Sequence, residues 1–146
     1  MKQENTQLEE NQEALVIPSD FANLPKVEQF IISLCKRAKL NDDQSDNMAI
    51  AITELVNNAI IHANKQNPEK NVTIRVFYKE NCVVVAIIDE GPGFNPEQVA
   101  NPTDPQNLWK QNGRGLFLVR NLIDEVEINP SPEGTEIILK EYIEKN

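Results

Sequence analysis

The stretch Thr53-Glu54-Leu55-Val56-Asn57-Asn58-Ala59-Ile60-Ile61-His62 decides how the rest of the chain is read. As a helix, it continues a run that puts Met48, Ile52, Leu55, Ala59 and Ala63 on one apolar face. Glu54, Asn58 and His62 recur every four residues and so stack on a single ridge at the edge of that face. A carboxylate, a carboxamide and an imidazole aligned in this way can meet one ligand together. Asparagine competes for backbone hydrogen bonds and contributes little inside a helix, so the pair Asn57-Asn58 calls for a reason. One reason is a solvated polar edge on an amphipathic helix; the other is a binding site. Two glycine-bearing motifs downstream favour the second.

Outward from this helix, the chain reads as one α+β domain. On its N-terminal side, Asn41-Asp42-Asp43 gives a capping signal, and the helix is expected to run to about Asn64. Before it, Leu24, Val27, Ile31, Leu34, Cys35 and Ala38 mark a helix over residues 23–39, with Ile32 pointing away. Leu15-Val16-Ile17, closed by Pro18-Ser19-Asp20, reads as an edge strand, and residues 1–13 read as a polar, acidic, flexible tail. On the C-terminal side, Val72, Ile74, Val76 and Tyr78 alternate with Thr73, Arg75 and Phe77, as in a strand covered mainly on one face. Residues 83–88 are almost wholly apolar, which suits a central strand. Residues 95–112, with Pro96, Pro102 and Pro105 and no long apolar period, predict a lid-like connection, placed at about 94–113. A helix from Gly113 to about Ile123 and strands over 125–129 and 135–142 complete the chain. The expected architecture is a two-layer sandwich over residues 14–146: a mixed, mainly antiparallel sheet with helices on one face.

Composition bounds the partners. The 146 residues carry a net charge of −9 and 40% hydrophobic residues, which suits one globular domain that meets a basic surface. Nucleic acid and anionic membranes repel such a chain at long range. No apolar run approaches the roughly 20 residues of a membrane span, and no secretory h-region opens the sequence. Cys35 and Cys82 have neither metal nor disulfide spacing, so the expected setting is the reducing cytoplasm.

Two further motifs can carry chemistry, although each read alone also fits plain structure, the first an ordinary Asp-x-Gly turn and the second a helix cap with a flexible hinge. Asp89, at the end of the apolar strand, precedes Gly91-Pro92-Gly93. A carboxylate there can accept a hydrogen bond from the exocyclic amine of adenine, while Gly91 and Gly93 let a flat ring approach the backbone. Gly113-Arg114-Gly115-Leu116 leads into a helix, where free N–H groups and the helix dipole favour an anion and Arg114 can add a contact to phosphate. The motif is neither a P-loop nor a dinucleotide fingerprint, since no Gly-Lys-Ser/Thr occurs and Phe117 and Leu118 stand where a third glycine belongs.

In this order, Glu-x-x-x-Asn-Ala-x-x-His, Asp-x-Gly-x-Gly and Gly-x-Gly-Leu resemble the N, G1 and G2 boxes of the Bergerat-fold ATPases. That superfamily includes gyrase-type topoisomerases, MutL, a chaperone family and histidine kinases. Gly134-Thr135 looks like its fourth element, where a threonine joins Asp89 around the adenine. The short first strand and helix, the single small domain and the run Gly113-Arg114-Gly115-Leu116-Phe117-Leu118-Val119-Arg120 are similar to the bacterial anti-sigma-factor serine/threonine kinases.

That resemblance implies ATP or ADP with Mg2+ as ligands, Asn58 as the Mg2+ ligand, and Glu54 as the catalytic base towards a serine or threonine hydroxyl. It also implies contacts to nucleotide from Asp89, Gly91, Gly93, Gly113, Arg114, Gly115, Leu116 and Thr135. His62 is left open between ligand contact and packing against the base of the lid. The implied partners are an anti-anti-sigma protein of the STAS type, which is phosphorylated, and a sigma factor, which is sequestered; a homodimer through the first strand and helix is family-typical. Where related kinases often carry a basic residue just before the Gly-x-Gly, this chain has Gln111 and Asn112. A nucleotide-gated binding module with little or no catalysis is therefore the second expectation. A detached histidine-kinase catalytic domain is the third, and Glu54, where histidine kinases carry Asn, speaks against it.

Overall fold

The computed structural model describes residues 11–91 and 115–143. Strand β1 spans Gln12–Pro18, and a 3-10 turn over Phe21–Asn23 leads into helix α1, Leu24–Ala38. Proline in the first turn suits α1, because its missing N–H would lack an intrahelical partner there anyway. Lys39, at φ 63°, ends the helix in the left-handed conformation, with its N–H returned to Cys35 and Lys36 carbonyls. Helix α2, Asp42–Asn58, opens on a capping box. Gln44 N donates to Asn41 Oδ1 at 2.7 Å, and Asn41 N donates to Gln44 Oε1 at 3.2 Å. Such a cap contributes about 1 kcal/mol, and Asp42 and Asp43 add to it by facing the positive end of the helix dipole.

The sheet comprises β1, β2 (Asn71–Tyr78), β3 (Cys82–Ile88), β4 (Glu125–Ser131) and β5 (Gly134–Tyr142), in the order β1-β2-β3-β5-β4. The expected α+β sandwich is what forms, with β1 at one edge and β3 in the middle. All four described pairings are antiparallel, so the parallel pairing that a mixed sheet requires is absent among the described strands. A second adjustment concerns β1. Gln12 and Glu13, expected in the tail, pair with Phe77 and Val76 of β2 and belong to the sheet.

Register determines which side chains meet the helices. Ile17 pairs with Val72, Ile74 with Ile87, and Ile87 with Ile137; all are buried. They join Val27, Ile31 and Leu34 of α1 and Met48, Ile52, Leu55 and Val56 of α2 in one core. Residues 115–122 form a further helix, α3, whose Leu116 and Val119 enter the same core. Ile32 is exposed, as its phase on α1 predicts. No helix among the described residues is long and apolar enough to cross a membrane.

Candidate nucleotide site

The ridge on α2 changes pitch at its midpoint. The α-helix stops at Asn58, and Ala59–Ala63 form one π turn, in which Asn64 N donates to Ala59 O at 2.8 Å. A π turn takes an i to i−5 bond and so carries an extra residue relative to the α pitch. The expected continuous α-helix to Asn64 is corrected on this point. Glu54 and Asn58 lie one turn apart on the α-helical part, and His62, within the π turn, is exposed.

Asn58 is only 9% exposed, and its Nδ2 has no hydrogen-bond partner among the described residues. The neighbouring Asn57 Oδ1 is likewise buried and unpartnered. Burying a polar group without a bond costs about 1–3 kcal/mol, so a ligand that completes these bonds has something to gain. Nδ2 is an N–H donor, so a polar ligand such as a nucleotide, rather than a cation, could complete its bond. A hard cation would take the other end of the Asn58 carboxamide, Oδ1, which is not among the buried unpartnered atoms.

Glu54 meets the third motif directly. A Cβ added at Gly115 would stand 2.2 Å from Glu54 Oε2, so the carboxylate occupies the place of a side chain there. Two segments separated by some sixty residues thus touch through the absence of a methyl group. Gly93, Gly113, Arg114, the expected lid over 94–113, and Gln111 and Asn112 all lie outside the described residues. Leu116 is fully buried in the core, which leaves its backbone as the part a nucleotide can meet.

Asp89 leaves β3 between two further segments. Its Oδ1 accepts hydrogen bonds from Gly91 N and from Thr135 N, each at 3.1 Å. Asp89 N in turn donates to Thr135 O at 3.1 Å. Thr135 is thereby held beside Asp89, the pairing that the resemblance implies. Burial pushes the Asp89 carboxyl above the usual aspartate range; the two N–H bonds and the charge of Lys70 oppose that shift without cancelling it. Gly134, at φ 155°, backs onto the Asp89 carbonyl, where a Cβ would approach to 2.2 Å. Gly91 backs onto Ala63, whose carbonyl oxygen would lie 2.4 Å from a Cβ. A cavity of about 290 Å³ also borders Asp89 and Thr135, but Asn129, Pro130 and Glu136 line it and neither Glu54 nor Asn58 does. It is therefore not assigned to the nucleotide.

One residue of this neighbourhood escaped the sequence reading. Asn64 is 1% exposed and bonds to three other segments. Its only signal was a third asparagine close to the helix end, which a simple C-terminal cap would also give.

The class follows from comparison. The family model described as a histidine kinase-like ATPase domain matches residues 17–140. The serine-protein kinase RsbW of Staphylococcus aureus is 27% identical over 137 residues, covering 88% of this chain and 85% of that one. The anti-sigma F factor of Bacillus subtilis is 34% identical over 109 residues, covering 71% and 73%. Among solved structures, the RsbU and RsbW domains of a Mycobacterium tuberculosis protein superpose with a TM-score of 0.64 at 17% identity, over 92% of this chain and 33% of that one. That last likeness speaks for the fold alone. The chain belongs to the histidine kinase-like ATPase family and, within it, to the anti-sigma-factor serine-protein kinases.

Proposed function

We propose that the protein binds ATP with Mg2+ between α2, the β3 exit and the start of α3. It passes the γ-phosphoryl group to a serine or threonine hydroxyl of an anti-anti-sigma partner of the STAS type. It also sequesters a sigma factor, and nucleotide state selects between the two partners. The observation that carries the reading is the contact of Glu54 with Gly115, on the same helix as the buried and unpartnered Asn58.

In this reading each side chain has one task. Asp89 accepts the adenine amine through the carboxylate oxygen left free of backbone bonds, with Thr135 beside it. Asn58 holds the metal ion through Oδ1. Mg2+, when bound, supplies neutralisation of phosphate charge. Glu54 accepts the proton of the attacking hydroxyl as its oxygen bonds to the γ-phosphorus and the bond to the β-phosphate oxygen breaks, releasing ADP. An aligned base of this kind contributes about 10²–10⁴-fold.

The test is Glu54→Gln. Its affinity for ATP should stay near that of the parent, while phosphoserine formed on the partner should fall by about 10²-fold or more. Normal transfer by this variant removes Glu54 from the chemistry. A second reading, a nucleotide-gated clamp with little turnover, draws support from Gln111 and Asn112 standing where a basic residue would face the γ-phosphate. Nucleotide-dependent partner capture by the parent without any phosphoserine would select it.

A further inference from the structure

A set of buried polar contacts gathers on Asn64, at the end of the π turn. Its Nδ2 donates to Ser19 Oγ at 2.7 Å and to Asn71 O at 3.0 Å, and its Oδ1 accepts from Glu90 N at 3.0 Å. Four segments therefore meet on one carboxamide: the exit of β1, the π turn, the start of β2 and the exit of β3. Glu90 Oε1 closes the circle by accepting from Asn71 N at 3.1 Å. Ser19, itself fully buried, donates from both N and Oγ to Lys70 O.

The contacts of Asn64 divide into two arms with different destinations. The Ser19 and Asn71 arm joins strand ends on the far side of the turn. The Glu90 arm runs towards the nucleotide, because Glu90 lies between Asp89 and Gly91. The peptide that follows Asp89 is held by Asn64 on Glu90 N, and Gly91 rests against the carbonyl of Ala63. Consecutive residues of one turn thus grip both sides of Glu90, and the Gly91 N–H fixed in this way is one of the two that orient Asp89 Oδ1. The extra residue of the π turn brings Asn64 N back to Ala59 O as its side chain reaches this grip.

The geometry points to Asn64 as a positioning residue of the nucleotide site, which sets the Asp89 carboxylate for adenine through the backbone N–H of Glu90. The inference rests on the reading that Asp89 takes the adenine amine. Losing the acceptor leaves Glu90 N–H without its protein partner and frees the turn, so affinity for the base should fall while a triphosphate contact made elsewhere is untouched.

The experiment compares Asn64→Ala, Asn64→Ser and Ser19→Ala with the parent chain, reading ATP and ADP affinity by calorimetry and thermal stability in the same preparations. Asn64→Ser ends one atom short of both the Nδ2 and the Oδ1 positions, so it loses both arms while leaving a hydroxyl in the buried space, and it serves if the alanine variant fails to fold. Ser19→Ala damages the other arm alone. Expected is a loss of about tenfold in affinity for both nucleotides in the Asn64 variants, with Ser19→Ala within about twofold of the parent although its melting temperature also drops. Amide exchange at Glu90 should speed up in the Asn64 variants and stay slow in Ser19→Ala. Unchanged affinity in a folded Asn64 variant overturns the inference, as does an equal loss in Ser19→Ala, which marks general loosening. A parent chain that takes up neither nucleotide overturns the adenine reading itself, and the inference with it.

Discussion

Gly115 shows how much one hydrogen atom in place of a methyl can decide. In Gly115→Ala the new Cβ meets the Glu54 side chain, 2.2 Å from Oε2 and 2.7 Å from Cδ and Cγ, so the whole side chain must swing away, with no backbone atom among those nearest contacts. Alanine is also the better helix former, by about 0.5–1 kcal/mol. Stability measured by urea unfolding should therefore hold or rise, while phosphoserine formation falls by about 10²-fold, as displacement of a catalytic group by an ångström does. A variant that transfers phosphate at the parent rate would show that the Glu54 position in contact with Gly115 is not the working one. Asp89 gives a second expectation at this scale. Because its folded pKa is raised, the folded chain holds this proton more tightly than the unfolded chain. The group thus adds stability as pH falls through its folded pKa and subtracts it as pH rises. Accepting the adenine amine needs the ionised form, so ATP affinity should decline on acidification, starting above the pH at which an ordinary aspartate protonates. Calorimetric titration across a pH series checks this, and Asp89→Asn should flatten that decline.

At the scale of elements, amphipathic period and capping made most of the fold legible. Asn41 and Gln44 announce α2 three residues apart, and the alternation Val72, Ile74, Val76 names the buried face of β2. The apolar run before Asp89 marks the central strand, which β2 and β5 flank, with Val83, Val85 and Ile87 fully in the core and Val84 and Ile88 half-buried on the other face. Two features stayed hidden for physical reasons. The π turn leaves no trace in hydropathy: Ala59-Ile60-Ile61 fits an α-helix equally well, and the change of pitch goes with contacts made only in the folded chain, from Ala63 and Asn64 to Gly91 and Glu90. The start of β1 was concealed because Gln12 and Glu13 are polar and join the sheet by backbone pairing and by an ion pair from Glu13 to Arg37. Among the proposed site residues, Glu54, Asn58 and Asp89 stand out by chemistry at fixed spacing and Thr135 by the family resemblance, whereas Asn64 is bonded to neighbours that only the folded chain assembles.

For the whole molecule, the net charge of −9 bears on how partners arrive rather than on how the fold holds. Capture of the proposed sigma-factor partner should draw on attraction to a basic surface. Raising ionic strength shortens the screening length from about 10 Å at 0.1 M to about 3 Å at 1 M. Association followed by stopped flow should then slow by about tenfold across that range, with dissociation changing far less. Rates indifferent to salt would assign capture to apolar contact instead.

Strand β5 comes last of the five in sequence yet lies between β3 and β4. During synthesis, β4 therefore leaves the ribosome with no neighbour to pair with, and the sheet stays divided until residues 134–142 have followed. Thr135 arrives only with that closing strand, so the nascent chain cannot finish its grip on Asp89 until the sheet itself is whole. A polypeptide stalled before residue 134 would hold Glu54, Asn58 and Asp89 and still lack Thr135, so in the proposed reading readiness for nucleotide waits on the emergence of β5.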